Sequence, residues 1–304
     1  MKISIVGIGR VGACVGHALT LKEMCKELVL VNRTRKSAEA EALDLSHASA
    51  FGDTLMDIRA GGTADIAGSD IVVLCASVPA QDHPNWTRAE LAKDNWRLYG
   101  QMLPDIVKHA PDAIYIVVAN PVDVLTYRTI QVTGLEPSRV IGTGTLVDSA
   151  RYRKLIARET GVHPMDIRAY IIGEHGDSQV LANSIASIGG EYAHSEFTNW
   201  DLFQEAVDSA YNIFHTRGYT NYGVAKAVTL LVQSVERDAC HTLPVSSLLH
   251  GEYGVEDVCL SLPCVVGEGG VKRVLRPTLS ETEFDLFRKS AEAVKAVIRV
   301  CETQ

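Results

Sequence analysis

Short runs of apolar, mostly β-branched residues alternate with longer helical patterns through the first half of the chain, and this alternation constrains the fold more than any other feature. The runs fall at 3–6, 28–31, 71–75, 114–118 and 140–142, with a weaker one at 57–60. They are almost continuously apolar, as strands covered on both faces must be. Helical patterns occupy 11–24, 36–50, 88–109 and 122–132. This order predicts an α/β fold, a doubly wound parallel sheet with right-handed crossovers. Thr87-Arg-Ala-Glu90 fits a capping box, which puts Arg88 at the first helical position, at the end of a loop. Pro104 predicts a kink or a split in that helix.

The second half has a different texture. Helices are expected at 146–160, 198–216 and 221–236, then an irregular strand-rich stretch from 240 to 275 with glycines at 251, 254, 267, 269 and 270. Ser280-Glu-Thr-Glu283 is a second capping box and opens a final helix. The change of pattern divides the chain into a dinucleotide-binding domain, 1–142, and an α+β substrate and catalytic domain, 143–304.

Gly7-Ile-Gly9-Arg10-Val11-Gly12 follows the first strand and opens the first helix. Glycines at this spacing permit a tight turn, close approach of a pyrophosphate, and close packing of helix on strand. The helix N-terminus then faces the phosphates. An acid is expected about 20 residues further on, to bind the ribose 2′-hydroxyl of NAD. Asn32 stands there instead, followed by Arg33-Thr-Arg35-Lys36. Asparagine does not repel a 2′-phosphate, and Arg33 and Arg35 can pair with one. NADP(H) is therefore expected ahead of NAD(H).

Composition removes several classes of function. The net charge of -8 offers no basic stripe for nucleic acid, and no apolar run is long enough to span a membrane. No secretory leader is expected, since Met1-Lys2-Ile-Ser-Ile-Val leads directly into a strand. Seven cysteines without a C-x-x-C suggest a reducing, cytoplasmic setting.

Two segments near the middle carry the chemistry. Gly142-Thr-Gly-Thr-Leu-Val-Asp148-Ser-Ala-Arg151 puts a carboxylate and a guanidinium on one helix face. Ile171-Ile-Gly-Glu-His175-Gly-Asp-Ser178 puts an imidazole between glycines after a strand-like run. An acid, a cation and an imidazole meeting in one cleft make a proton-transfer site with an anion clamp. Glu174, His175 and Asp177 lack the spacing of a metal-binding helix, so no metal is expected.

The ordered set formed by the glycine motif, Arg88, Asn120-Pro-Val-Asp123, the two central segments and Gly218-Tyr-Thr220-Asn-Tyr-Gly-Val-Ala225 resembles the L-lactate and malate dehydrogenase family over nearly the whole chain. The wording of the last motif and the loop Gln81-Asp-His-Pro-Asn-Trp-Thr-Arg88 most resemble its L-2-hydroxyisocaproate dehydrogenase branch. The resemblance implies a reversible, stereospecific hydride transfer between NAD(P)H and a 2-oxo acid, giving an L-2-hydroxy acid. It gives His175 the proton, Asp148 the other ring nitrogen, Arg151 the substrate carboxylate and Arg88 the polarised carbonyl. Asn120 adds a hydrogen bond near the same oxygen, Thr220 lines the substrate side and Val224 packs on the nicotinamide. A homodimer or homotetramer is implied.

The loop departs from the malate and lactate patterns. No arginine or lysine lies between Val78 and Thr87 to pair with a second carboxylate, while Trp86 and the added length suit a bulky apolar side chain. Gln81 or Asp82 takes the place of the lactate enzymes' glutamine. The alternatives are an L-lactate or malate dehydrogenase, a metal-dependent, NAD-using hydrolase on the same fold, and a non-catalytic cofactor-binding protein.

Overall fold

The computed structural model describes residues 1–78, 88–192 and 199–303, and for Arg88 only the backbone. The first half consists of β1 (Lys2–Val6), α1 (Arg10–Leu21), β2 (Glu27–Val31), α2 (Arg35–Ser49), β3 (Asp57–Gly61), β4 (Ile71–Leu74), α3 (Arg88–His109), β5 (Ile114–Val117), α4 (Val122–Thr133) and β6 (Val140–Gly142). The second half adds α5 (Leu146–Thr160), β7 (Ile167–Ile172), β8 (Val180–Ile188), β9 (Glu191–Tyr192), α6 (Trp200–Arg217), α7 (Tyr222–Glu236), β10 (His241–Glu252), β11 (Val255–Gly267), β12 (Gly270–Val274) and α8 (Glu281–Glu302).

The main sheet has the order β12-β11-β10-β6-β5-β4-β1-β2-β3. Strands β1 to β6 pair in parallel, and β2 and β4 flank β1, so the winding reverses there. Ligands bind at the carboxyl ends of strands beside such a reversal. One face of the sheet carries Val15 and Leu19 of α1, Leu45 of α2 and Val228, Leu231 and Val232 of α7. The other carries Tyr99, Leu103 and Ile106 of α3 and Leu125 of α4. The doubly wound sheet expected from the alternation is present.

Two expectations need correction. The stretch from 240 to 275 is not irregular: β10 and β11 form a long antiparallel hairpin, β12 pairs with β11, and Ser246 of β10 pairs with Gly142 of β6. The second half thus extends the sheet of the first. The glycines that suggested disorder in the pattern sit mostly at the turns, where Gly251, Gly254, Gly269 and Gly270 have positive φ. Of the kink or split expected at Pro104, the split does not occur: α3 runs unbroken to His109. The fully buried Tyr99, Leu103 and Ile106 flank the proline, and their burial outweighs the loss of one helical hydrogen bond.

The capping box that opens α8 forms as expected. Glu283 N–H donates to Ser280 Oγ, and Ser280 N–H donates to a Glu283 carboxylate oxygen. The box expected at Thr87 lies outside the described residues.

Candidate active site

Helix geometry alone brings Asp148 and Arg151 together. Both lie on the first turns of α5, and Arg151 Nη1 donates to Asp148 Oδ1 at 2.8 Å. Their side chains are only 18% and 9% exposed for Arg151 and Asp148, so this is no surface pair. Thr145 and Ser149, on the same turns, bond to the backbone of Ile171 and lock α5 onto β7.

His175 reaches them from the loop after β7. Gly173 exchanges two 2.9 Å backbone hydrogen bonds with Ser261 of β11, which pins that loop to the main sheet. Glu174 N–H donates to Ser290 Oγ, and His175 N–H donates to Asp123 Oδ2 at 2.7 Å. The ring then lies with Nδ1 2.5 Å from Asp148 Oδ2, leaving Nε2 on the other side of the imidazole.

The charges follow from this packing. Burial opposes protonation of His175, but the Asp148 carboxylate overcomes it and holds the imidazole pKa above its ordinary value. Burial also works against ionisation of Asp148, yet His175 and Arg151 outweigh it and keep its pKa low. The pair is therefore built to carry imidazolium beside carboxylate.

Asp123 has a role that sequence reasoning missed. It sits in the first turn of α4 and is 2% exposed. Burial pushes its pKa up to about 6, against the pull of the Ser246 hydroxyl and the His175 N–H. Its place in the Asn120-Pro-Val-Asp123 motif was visible in the sequence, but its contact with a residue 52 positions away was not.

The glycine loop fits a dinucleotide. Gly7 has φ +97, and a Cβ there would lie 2.3 Å from Ala76 N. A Cβ on Gly12 would lie 2.0 Å from Gly7 O, so neither position tolerates a side chain. Above Gly9 nothing lies within 4 Å, and Gly9 is the N-cap of α1, with no side chain to occupy the helix end. That open cradle suits a pyrophosphate. Arg10 stacks over the Tyr219 ring at 4.5 Å, and Arg217 lies over the same ring at 4.7 Å. The glycine loop thereby touches the segment that carries Thr220. A Cβ on Gly223 would come 3.4 Å from Val147, the neighbour of Asp148, so the α6–α7 connection also adjoins the start of α5.

The remaining expected residues are distributed as follows. Val11 is half-buried against the core, as is Val224, and Thr220 is half-buried between α6 and α7. Asn120 is exposed just beyond β5. Asn32 Oδ1 accepts from Ile8 N–H at 3.3 Å, which ties it to the glycine loop. Arg33 is exposed, whereas Arg35 Nε pairs with Glu39 at 3.0 Å. The expectations for the Arg88 side chain, Gln81, Asp82 and Trp86 lie outside the described residues.

Glu174, His175 and Asp177 do not converge on one point. Glu174 accepts from Ser178, Asp177 accepts from Tyr211 and His175 faces Asp148. Among the described residues no group of three such side chains is arranged to hold a metal. Among them, too, no helix is long and apolar enough to cross a membrane.

The profile of the lactate/malate dehydrogenase NAD binding domain matches residues 1–142, and that of the lactate/malate dehydrogenase alpha/beta C-terminal domain matches 145–303. An L-lactate dehydrogenase of Thermoanaerobacter sp. (strain X514) is 40% identical over 309 residues, covering 98% of each chain. One of Synechococcus sp. (strain JA-3-3Ab) is 40% identical over 304 residues, again covering 98% of each. The ligand-bound crystal structure of a minor L-lactate dehydrogenase from Enterococcus mundtii superposes with a TM-score of 0.93 at 34% identity, covering 98% of this chain and 97% of that one.

Proposed function

The chain belongs to the lactate/malate dehydrogenase family, and from that premise we propose that it interconverts a 2-oxo acid and the L-2-hydroxy acid, with pyruvate and L-lactate as the reference pair. The observation that carries this reading is the Asp148 carboxylate, shared between His175 Nδ1 at 2.5 Å and Arg151 Nη1 at 2.8 Å. The Gly7–Gly12 cradle would hold the pyrophosphate of a nicotinamide dinucleotide, which when bound would supply the hydride.

The protein's residues do the rest. His175 gives its Nε2 proton to the C2 oxygen during reduction and takes it back in oxidation. Asp148 fixes the ring through Nδ1 and stabilises the imidazolium, the role an aspartate plays beside the histidine of serine-protease triads. Arg151 turns its guanidinium to the substrate carboxylate, a planar pair that fixes orientation. Arg88 polarises the carbonyl. Asn120, Thr220 and Val224 line the space between substrate and nicotinamide. Residues 1–142 provide the cofactor half of the site and 143–304 the catalytic half.

Finer features follow from particular residues. Asn32 and Arg33 support use of NADP(H) beside NAD(H), since neither repels a 2′-phosphate and Arg33 is exposed. Phe51 and Leu55, each 94% exposed, support burial of this surface in a homodimer or homotetramer. Seven free thiols support a reducing, cytoplasmic setting.

The names of the relatives favour pyruvate. A second reading, a larger apolar 2-oxo acid, is favoured by the absence of lysine and arginine between Val78 and Thr87 and by Trp86. Specificity constants for pyruvate, 2-oxoisocaproate, phenylpyruvate and oxaloacetate, each with NADH and NADPH, test both. Pyruvate leading supports the first reading and 2-oxoisocaproate the second. Oxaloacetate leading overturns both, and no turnover with any of them refutes the activity.

A further inference from the structure

The main sheet opens at the carboxyl ends of β4 and β5. Their ladder ends at Leu74 and Val117. One exit packs on Gly7 through Ala76, and the other leads to Asn120. Among the described residues the backbone bonds between the two exits end with Val118 and Ala119, whose N–H groups still reach Leu74 O.

The Asn95 side chain joins the two exits. Asn95, on the second turn of α3, is fully buried. Its Oδ1 accepts from Val78 N–H at 2.8 Å, and its Nδ2 donates to Ser77 Oγ at 3.0 Å and to the Asn120 carbonyl at 2.7 Å. Three of the four hydrogen bonds that an amide can make are thus formed, and all three go to the two strand exits. Asn95 lies among the buried Ala92, Trp96 and Tyr99 of an otherwise apolar stripe. Burying an amide there carries a desolvation cost that only such bonds offset.

We propose that Asn95 is a positioning residue for the reaction. It clamps the chain at Ser77–Val78 to the Asn120 carbonyl and so fixes the Asn120 side chain against the cofactor and substrate. This role rests on the reading of Asn120 given above. Asn120 itself is exposed, and the 2.7 Å bond from Asn95 to its carbonyl ties its backbone to α3.

The test uses two variants of the full chain. Asn95→Asp keeps the acceptor for Val78 N–H but, when ionised, sets a carboxylate oxygen against the Asn120 carbonyl. Asn95→Leu removes every bond. At pH 8 both variants are expected to lose about tenfold in kcat, as small misplacements near reacting atoms do. As the pH falls the aspartate protonates and can donate to Asn120 again. Activity of Asn95→Asp relative to the wild type at the same pH is therefore expected to recover, while Asn95→Leu stays low. Amide exchange gives a readout that needs no substrate: the Val78 N–H should stay protected in Asn95→Asp and lose protection in Asn95→Leu. Wild-type kcat and KM in both variants, equal losses without a difference in pH profile, or unchanged Val78 protection in Asn95→Leu would overturn the clamp. A wild-type enzyme inactive on every 2-oxo acid would refute the proposed activity instead, and the exchange data would still decide the clamp.

Discussion

Replacing Asp148 by asparagine should remove the charge that makes His175 a proton donor at neutral pH while leaving the shape of the site nearly intact. Two unit charges about 4 Å apart interact by about 4 kcal/mol at an effective dielectric of about 20. The His175 side chain is 28% exposed, and Arg151 lies on the same carboxylate, so solvent and the guanidinium both discount this value. About 2–3 kcal/mol remains, and at about 1.4 kcal/mol per decade that is about a 10²-fold loss in kcat/KM for reduction at pH 7. The pH dependence carries more information than the size. With Asp148 present, the raised pKa keeps the imidazole protonated past 6.5, and reduction falls as the pH rises through that higher value. In Asp148→Asn, burial and Arg151 lower the pKa and only the weaker pull of Asp123 opposes them, so the falling limb moves to lower pH. Reduction should recover as the pH is lowered, and oxidation, which needs the neutral ring, should suffer least at alkaline pH. Steady-state rates in both directions from pH 5 to 9, with cofactor affinity from fluorescence, provide the measurement. A loss that is uniform across pH, or a limb that does not move, would show that Asp148 acts only through geometry.

Other outcomes follow from individual residues. Arg151→Lys should raise KM for 2-oxo acids by about ten- to a hundredfold while cofactor binding is kept, because an ammonium cannot make the planar pair; an unchanged KM would dismiss the clamp. Asp123 has a folded pKa of about 6 against an ordinary 3.8, so its stabilising contribution is full below 3.8 and is lost as the pH rises through about 6. At pH 8 this costs about 3 kcal/mol, and Asp123→Asn should gain melting temperature relative to the wild type between about pH 4 and 6 and keep that gain up to pH 8; a constant difference from pH 4 to 8 would contradict it. Asn32→Asp combined with Arg33→Ala should raise KM for NADPH and move preference toward NADH, since an acceptor for the 2′-hydroxyl appears and a cation is lost. A wild type that already strongly prefers NADH would remove the basis for that change.

What the sequence determined by itself is what short-range geometry encodes. The strand–helix alternation, the glycine loop, the capping box of Ser280 and Glu283, and the approach of Asp148 to Arg151 all lie within windows of a few residues. There, helix pitch and backbone sterics leave few choices. Tertiary structure decided everything that joins distant segments. The glycines between 251 and 270 read as irregularity because a sequence shows their presence and not whether they fall in turns or strands. Only the pairing of Ser246 with Gly142 shows that the second half completes the first sheet. His175 meets Asp148 across 27 residues because Gly173 is bridged to Ser261 and because Asp123 holds the His175 N–H. Asn95 finds its partners, Val78 and Asn120, only through the packing of α3 on the sheet. The physical reason is common to all of these. A buried polar group must find a partner, but its own residue type does not say where along the chain that partner lies; packing of the sheet and its covering helices settles that.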